Sequence, residues 1–322
     1  MLTRLLVTGA AGFVGARFVE MCRERGPVDI IAVDEPGHFA DRPEHAGIDF
    51  GTIVPRDALF EWLDRRRLSL SGIVHLGACT DTTMMDLTVL RERNVLYSQR
   101  LWQYATTQAV PFVYASSAAT YGDGAFGYDD DESLIRRLRP LNPYGDSKQI
   151  FDEWVLEKEE LRSTPPAWSG WKFFNVYGFG ERHKGRMASV VLHAYEQIQR
   201  DGVVRLFRSH RPEIADGFQA RDFVDVSDVL NVLWFAVTTP VQRGIRNLGT
   251  GCARTFLDLA RAVCRATNHD ETISYIDIPP SLRSQYQYFT EARIERLQSL
   301  GYDAEFRSLE AGVNAYVARL RQ

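Results

Sequence analysis

Glycines at positions 9, 12 and 15 of the run Thr8-Gly9-Ala10-Ala11-Gly12-Phe13-Val14-Gly15 separate a short apolar stretch, Leu2–Val7, from an amphipathic one, Phe13–Arg25. The first stretch reads as a strand and the second as a helix, with Phe13, Ala16, Val19, Glu20 and Arg23 spaced along it. A strand that turns directly into a helix through such glycines brings backbone N–H groups and the positive end of a helix dipole to one point. That point suits a pyrophosphate. A bare glycine triplet would be an ordinary βα turn. Here a second strand, Asp29–Val33, ends at Asp34, about 20 residues on, where a carboxylate can accept the hydroxyls of an adenosine ribose. The expected dinucleotide contacts are Gly9, Gly12, Phe13, Val14, Gly15, Asp34 and Glu35. Two adjacent carboxylates repel a 2′-phosphate and favour NAD over NADP, while His38 and Arg42 nearby act in the other direction.

The alternation continues. Helical patterns at Ala58–Arg67, Asp86–Thr107 and Gly145–Leu161 alternate with strand patterns at Gly72–Leu76, Pro111–Ala115 and Trp171–Phe174. Such βαβ repetition predicts a doubly wound parallel sheet of the Rossmann type in an α/β chain, with a smaller C-terminal α/β substrate lobe. Further along, Ala188–Arg200 reads as a helix, Gly244–Leu248 as a strand and Arg307–Arg321 as a terminal helix. The expected division is a dinucleotide-binding domain over 1–174, to which 219–250 returns, and a substrate lobe over 175–218 and 251–322. Ser163–Gly170 reads as a surface loop. Long loops at Gly122–Asn142, Tyr177–Arg186 and Ser209–Arg221 are where function is expected.

Composition excludes several classes. A net charge of −4 with intermixed signs lacks the basic surplus of a nucleic-acid binder. The cysteines, Cys22, Cys79, Cys252 and Cys264, form no CxxC pair, so neither a disulfide framework nor a metal site is expected, and a reducing cytoplasm fits. No apolar run reaches the ~20 residues of a membrane span, and the N-terminal run is too short and glycine-broken for a signal peptide.

Two further motifs carry chemistry. Tyr144-Gly145-Asp146-Ser147-Lys148 places a phenol and an ammonium on one helical face, where the cation should lower the phenol's pKa for proton exchange with a substrate hydroxyl. Ser116 and Ser117 close a strand pattern, and the C-terminal ends of parallel strands are where ligands bind; Ser117 can donate to the reacting oxygen. The ordered set of glycine loop, Ser117 and YxxxK resembles the extended short-chain dehydrogenase/reductase family over essentially the whole chain. Leu76-Gly77-Ala78-Cys79-Thr80, Asn94, Arg221-Asp222-Phe223-Val224 and Asn247-Leu248-Gly249-Thr250-Gly251 agree with it. The resemblance implies Leu76, Ala78, Asn94, Tyr144, Lys148 and Val176 as further cofactor contacts.

The second half is similar to the heptose 6-epimerase branch of that family, through Phe173–Gly178, His183-Lys184-Gly185-Arg186-Met187-Ala188-Ser189 and Tyr286–Thr290. That branch uses tightly bound NADP or NAD, the resemblance favouring NADP where Asp34-Glu35 favours NAD; it acts on an ADP-heptose and forms homo-oligomers. The resemblance implies Tyr144, Lys148, Ser117 and Lys184 as catalytic, with Tyr144 and Lys184 working from opposite faces of C6″. It implies Ser117, Asn175, Arg186, His193, Phe207, Arg221 and Tyr286 at the substrate. A solvated loop lysine is the plain alternative for Lys184, and a structural histidine for His193. Departures from the pattern include Leu76 for Glu, Glu35 for Asn, Arg186 for Ser, and His38 near the place of a Lys. Ala118-Ala119 after Ser117 lack the acids a dehydratase needs; a C4-epimerase or a non-catalytic NAD(P)-binding sensor are the other readings.

Overall fold

The computed structural model describes residues 2–66, 68–239, 243–283 and 285–322. Among the described residues, twelve strands occur in chain order: β1 Arg4–Thr8, β2 Asp29–Asp34, β3 Thr52–Pro55, β4 Gly72–His75, β5 Phe112–Ser117, β6 Trp168–Phe173, β7 Asn175–Tyr177, β8 Val204–Phe207, β9 Ala220–Asp225, β10 Gly244–Leu248, β11 Ala253–Thr255 and β12 Ile273–Ile276. Seven of them form one parallel sheet in the order β10-β6-β5-β4-β1-β2-β3. The chain winds one way from β1 to β3 and the other way from β4 onward, so the order reverses between β1 and β4. In open parallel sheets the ends of the strands at such a reversal are where a ligand crevice forms.

Burial on both faces explains the continuous apolar runs. Leu5 and Val7 point into a core that includes Ala16, Phe18 and Val19 of helix Phe13–Arg25 and Val229 and Leu233 of helix Val226–Thr238. Leu6, between them, joins Ile73, Leu101, Trp102, Phe151 and Val155 on the other face. A third core, with Val191, Leu192, Leu259, Val263, Val313 and Val317, joins helices Val190–Asp201, Phe256–Thr267 and Leu309–Leu320 beside the β8–β12 pair. Strand β9 pairs with β7 and β11 rather than with the large sheet.

Several elements differ from the sequence reading. Trp168–Gly170 is not surface loop but the buried start of β6, paired with β5 and β10. Gly170 has no side chain because a Cβ there would collide with the Tyr114 ring, and Pro165-Pro166 just before it masks the strand pattern. The expected helix over 86–107 is interrupted. Asp86 caps Leu87–Leu90, a wide π turn spans Arg91–Leu96, and the α-helix resumes at Tyr97–Thr107. Helix Leu59–Arg65 is shorter than expected, and Arg67 lies outside the described residues. Among the described residues no helix is long and apolar enough to cross a membrane.

Asp222 of β9 ties distant segments together. Its carboxylate accepts the N–H groups of Thr250 (2.8 Å), Gly251 (2.9 Å) and Ala292 (3.0 Å) and the Thr250 hydroxyl (2.7 Å). Burial pushes its pKa up, and these donors oppose that. Asp222→Ala leaves buried N–H groups without acceptors, so it should lower unfolding free energy by about 3 kcal/mol. Urea denaturation checks this: the midpoint should fall with an unchanged slope.

Candidate functional site

The glycine turn closes tightly. Gly9 has φ +66° and lies so near the next loop that a Cβ would stand 2.6 Å from the Gly77 nitrogen. A Cβ on Gly15 would overlap the Gly9 carbonyl oxygen. Gly12 is the N-cap of helix Phe13–Arg25 and offers no side-chain cap, leaving the helix N–H groups to a ligand. At the end of β2, Asp34 accepts the Ala11 N–H (3.1 Å) and the Glu35 N–H (2.8 Å) and faces His38 Nδ1 at 3.1 Å. Two arginines stand at this same corner, each already bonded. Arg42 donates to the Ala11 carbonyl, and Arg56 pairs with Asp57 and, at 3.7 Å, with Glu35. The cradle and the acidic corner fit a dinucleotide.

Ser117 ends β5, and Tyr144 and Lys148 lie in helix Pro143–Glu160, capped by Asn142 on the Gly145 N–H. Tyr144 and Lys148 are both buried. The Lys148 ammonium donates to the Ala115 carbonyl at 3.0 Å. Burial lowers it to about 8, with the Asp152 charge opposing. The phenol differs from the sequence expectation. Burial raises the Tyr144 pKa, and the largest opposing influence is a hydrogen bond with Ser117 rather than the lysine. Leu76 and Ala78 follow β4 as half-buried residues of the loop facing Gly9. Asn94, in the π turn, holds that loop by donating to the Cys79 carbonyl (3.0 Å) and accepting its N–H (2.7 Å).

Below these groups lies a buried ion pair that sequence reasoning missed. Lys172 Nζ is 2.7 Å from Asp152, and both side chains are essentially inaccessible. Asp152 also accepts the Ser116 (2.6 Å) and Tyr114 (3.0 Å) hydroxyls, and Lys172 also donates to Thr120 (2.7 Å). Lys172 comes from β6, Tyr114 and Ser116 from β5, Thr120 from the turn after it and Asp152 from the helix that carries Lys148, so the network joins the strand of Ser117 to that helix. Only the i, i+4 spacing of Lys148 and Asp152 is visible in sequence.

Lys184 sits in the short helix Arg182–Met187, which is broken at Gly185. Its ammonium lies 5.3 Å from the Phe13 ring centroid, over the glycine turn, and 3.6 Å from Glu181. Glu181 is fully buried and accepts the Ser189 N–H (2.8 Å) and hydroxyl (2.6 Å), which fixes the turn that presents Lys184. Arg186 is exposed and reaches Asp81 (3.3 Å) and Thr83 (2.6 Å) in the loop after β4. In the second lobe, Arg221 is buried with its guanidinium 5.4 Å from the Tyr286 ring and 5.6 Å from the Phe256 ring. Phe207 meets Tyr286 edge-on at 6.2 Å. Arg221, Phe207 and Tyr286 form one cluster, with the Phe256 ring also beside the guanidinium. Asn175 is exposed on β7, Val176 beside it is half-buried, and His193 is half-buried on helix Val190–Asp201.

Residues 5–249 match the NAD dependent epimerase/dehydratase family. The ADP-L-glycero-D-manno-heptose-6-epimerase of Fusobacterium nucleatum is 42% identical over 323 residues, covering 97% of this chain and 96% of that protein. The protein of the same name from Nitratidesulfovibrio vulgaris strain Hildenborough is 43% identical over 316 residues, covering 98% and 97%. Among solved structures, the Helicobacter pylori ADP-L-glycero-D-manno-heptose-6-epimerase superposes with a TM-score of 0.82 at 25% identity, covering 99% of this chain and 96% of that one.

Removing one partner of the buried pair leaves the other charge stranded. Lys172→Met should destabilise the protein by about 3–5 kcal/mol, and adding Asp152→Asn should restore at least half of that loss. Thermal denaturation of the single and double variants measures the coupling.

Proposed function

The chain belongs to the NAD dependent epimerase/dehydratase family, and we propose that it inverts C6″ of an ADP-glycero-manno-heptose. What supports this reading is that two groups able to handle protons stand on elements bordering the glycine turn and the loop that faces it. Tyr144 stands with Ser117 and Lys148 at the end of β5, and Lys184 is held over Phe13 of the glycine turn by a buried glutamate. Inverting a hydroxyl-bearing carbon needs a proton removed on one face and delivered on the other, so a single tyrosine does not suffice. The identity to the heptose epimerases, over nearly the full length of both chains, supports the choice of sugar.

The glycine turn, Asp34, Glu35, Leu76, Ala78, Asn94 and Val176 would hold the dinucleotide. When bound it supplies the redox chemistry, accepting a hydride from C6″ and returning it, with no net oxidation. Tyr144 takes the 6″-hydroxyl proton as the sugar ketone forms, with Ser117 donating to the same oxygen. The Lys148 charge would add to the Ser117 hydrogen bond in stabilising the phenolate against the burial that raises its pKa. The ketone is then presented by its other face, and Lys184 delivers the proton to the reduced oxygen. Arg221, Phe207 and Tyr286 would receive the nucleotide diphosphate, a guanidinium over two aromatic faces being suited to phosphate and base together. Asn175, Arg186 and His193 would line the sugar. In this arrangement residues 1–174 with 219–250 carry the dinucleotide, and 175–218 with 251–322 carry the substrate.

The acidic corner at Asp34 and Glu35, with Arg42 and Arg56 already engaged, favours NAD over NADP.

Tyr144→Phe and Lys184→Met should each lower kcat for C6″ epimerisation by about 100-fold or more, read by NMR on ADP-heptose. Full epimerase activity in Lys184→Met overturns the two-group assignment. Isothermal titration should find NADP+ binding about tenfold or more weaker than NAD+, because its 2′-phosphate meets the two carboxylates. Tighter binding of NADP+ overturns the NAD assignment.

A further inference from the structure

His75, the last residue of β4, is buried at 3% exposure and belongs to none of the motifs described above. Both ring nitrogens are engaged: Nδ1 lies 2.6 Å from the Thr8 hydroxyl and Nε2 2.8 Å from the Ser98 hydroxyl. The neighbours settle which nitrogen carries the proton. Ser98 spends its single proton on the Asn94 carbonyl, 2.7 Å away, which can only accept. Toward His75, Ser98 must therefore accept, so Nε2 bears the hydrogen. Nδ1 is then bare and accepts from Thr8. Thr8 in turn accepts the Gly77 N–H at 3.2 Å, a group that can only donate. Every link runs the same way, from Gly77 through Thr8, His75 and Ser98 to the Asn94 backbone.

The chain continues through the Asn94 side chain. Its amide nitrogen donates to the Ser147 hydroxyl at 2.9 Å, and Ser147 donates to the Tyr144 carbonyl at 2.7 Å. The same asparagine holds Cys79 at both its N–H and its carbonyl. Residues 76–79, which face Gly9, are thus gripped at Gly77 from one side and at Cys79 from the other.

We propose that His75 is a positioning residue: as a neutral imidazole protonated on Nε2, it closes a hydrogen-bond chain that runs through Asn94 and sets the dinucleotide loop and the helix carrying Tyr144 as one unit. The catalytic part of this inference rests on the role assigned to Tyr144; the tautomer and the effect on dinucleotide binding do not. The groups around the ring favour the neutral form. Lys148 approaches from the helix carrying Tyr144, and the Tyr97 and Phe112 rings pack at 6.1 and 6.0 Å. Burial, with the lysine charge, lowers the imidazole to about 3. The ring is therefore neutral through the physiological range. Since an unfolded histidine titrates near 6.5, the unfolded chain binds a proton that the native one refuses as pH falls below that value. The contribution to stability is intact above about 6.5 and declines below it.

Nitrogen-15 NMR of the full chain with NAD+ tests the tautomer directly. His75, assigned by its absence from the His75→Asn spectrum, should show the Nε2–H pattern unchanged from pH 5.5 to 8.5. An Nδ1–H pattern, or titration within that range, overturns the proposal. His75→Phe keeps the volume and removes both bonds. It should weaken NAD+ binding and lower kcat, each by about tenfold or more, with the KM for the nucleotide sugar little changed. His75→Asn, which retains an acceptor for Thr8, should recover part of the NAD+ affinity. A folded His75→Phe protein with unaltered NAD+ affinity also overturns the proposal, and if that variant does not fold the NMR result decides. Loss of the NMR signature would count against His75 whatever Tyr144→Phe does, and retained activity in Tyr144→Phe would count against the catalytic reading alone.

Discussion

The site depends on how closely three backbone segments approach one another at the end of β1. Gly9, Gly15 and Gly77 converge where side chains would collide with backbone, so the turn, the first helix and the loop after β4 meet without intervening atoms. This contact lets a helix N-terminus open directly from the strand at the place where the sheet reverses its winding. It also brings residues 76–79 within reach of the turn, and from there Asn94 and the helix of Tyr144 are placed by hydrogen bonds. Bulkier residues at these positions would separate the loop from the turn and disconnect the elements that meet there.

The parts of this arrangement that were legible in sequence are those with local causes. The glycine turn is encoded within eight residues, and Asp34 follows from strand length. Tyr144 and Lys148 share a helical face by periodicity alone. The Rossmann-type sheet was readable because both of its faces are covered, which leaves unbroken apolar runs. Strand β6 was partly hidden because a proline pair precedes it and a glycine inside it answers to Tyr114, a residue of another strand.

The supporting groups could not be read because their partners are remote. Lys172 and Asp152 are 20 residues apart, His75 and Thr8 are 67 apart, and Glu181 is identifiable only once the turn it closes is folded. Each is a polar side chain whose partners no local pattern reveals. Their burial is tolerable because each is almost fully hydrogen-bonded, and a partly satisfied network at the same depth would cost stability without fixing geometry. The phenol of Tyr144 shows the same limit. Its spacing from Lys148 gave the pairing, but how deeply both groups are buried depends on the whole fold, and burial reverses the expected direction of the phenol's shift.

The wide turn at Arg91–Leu96 can be viewed as a change of phase. An α-helix advances 100° per residue, so its faces are normally locked together from end to end. A π turn holds one extra residue and breaks that lock. Asn94 can therefore aim at the loop and at Ser147 while Leu101 and Trp102, a few residues later, keep to the core. A chain can in this way redirect one polar side chain toward a site without repacking the hydrophobic layer beneath, and the alteration required is the gain or loss of a single residue.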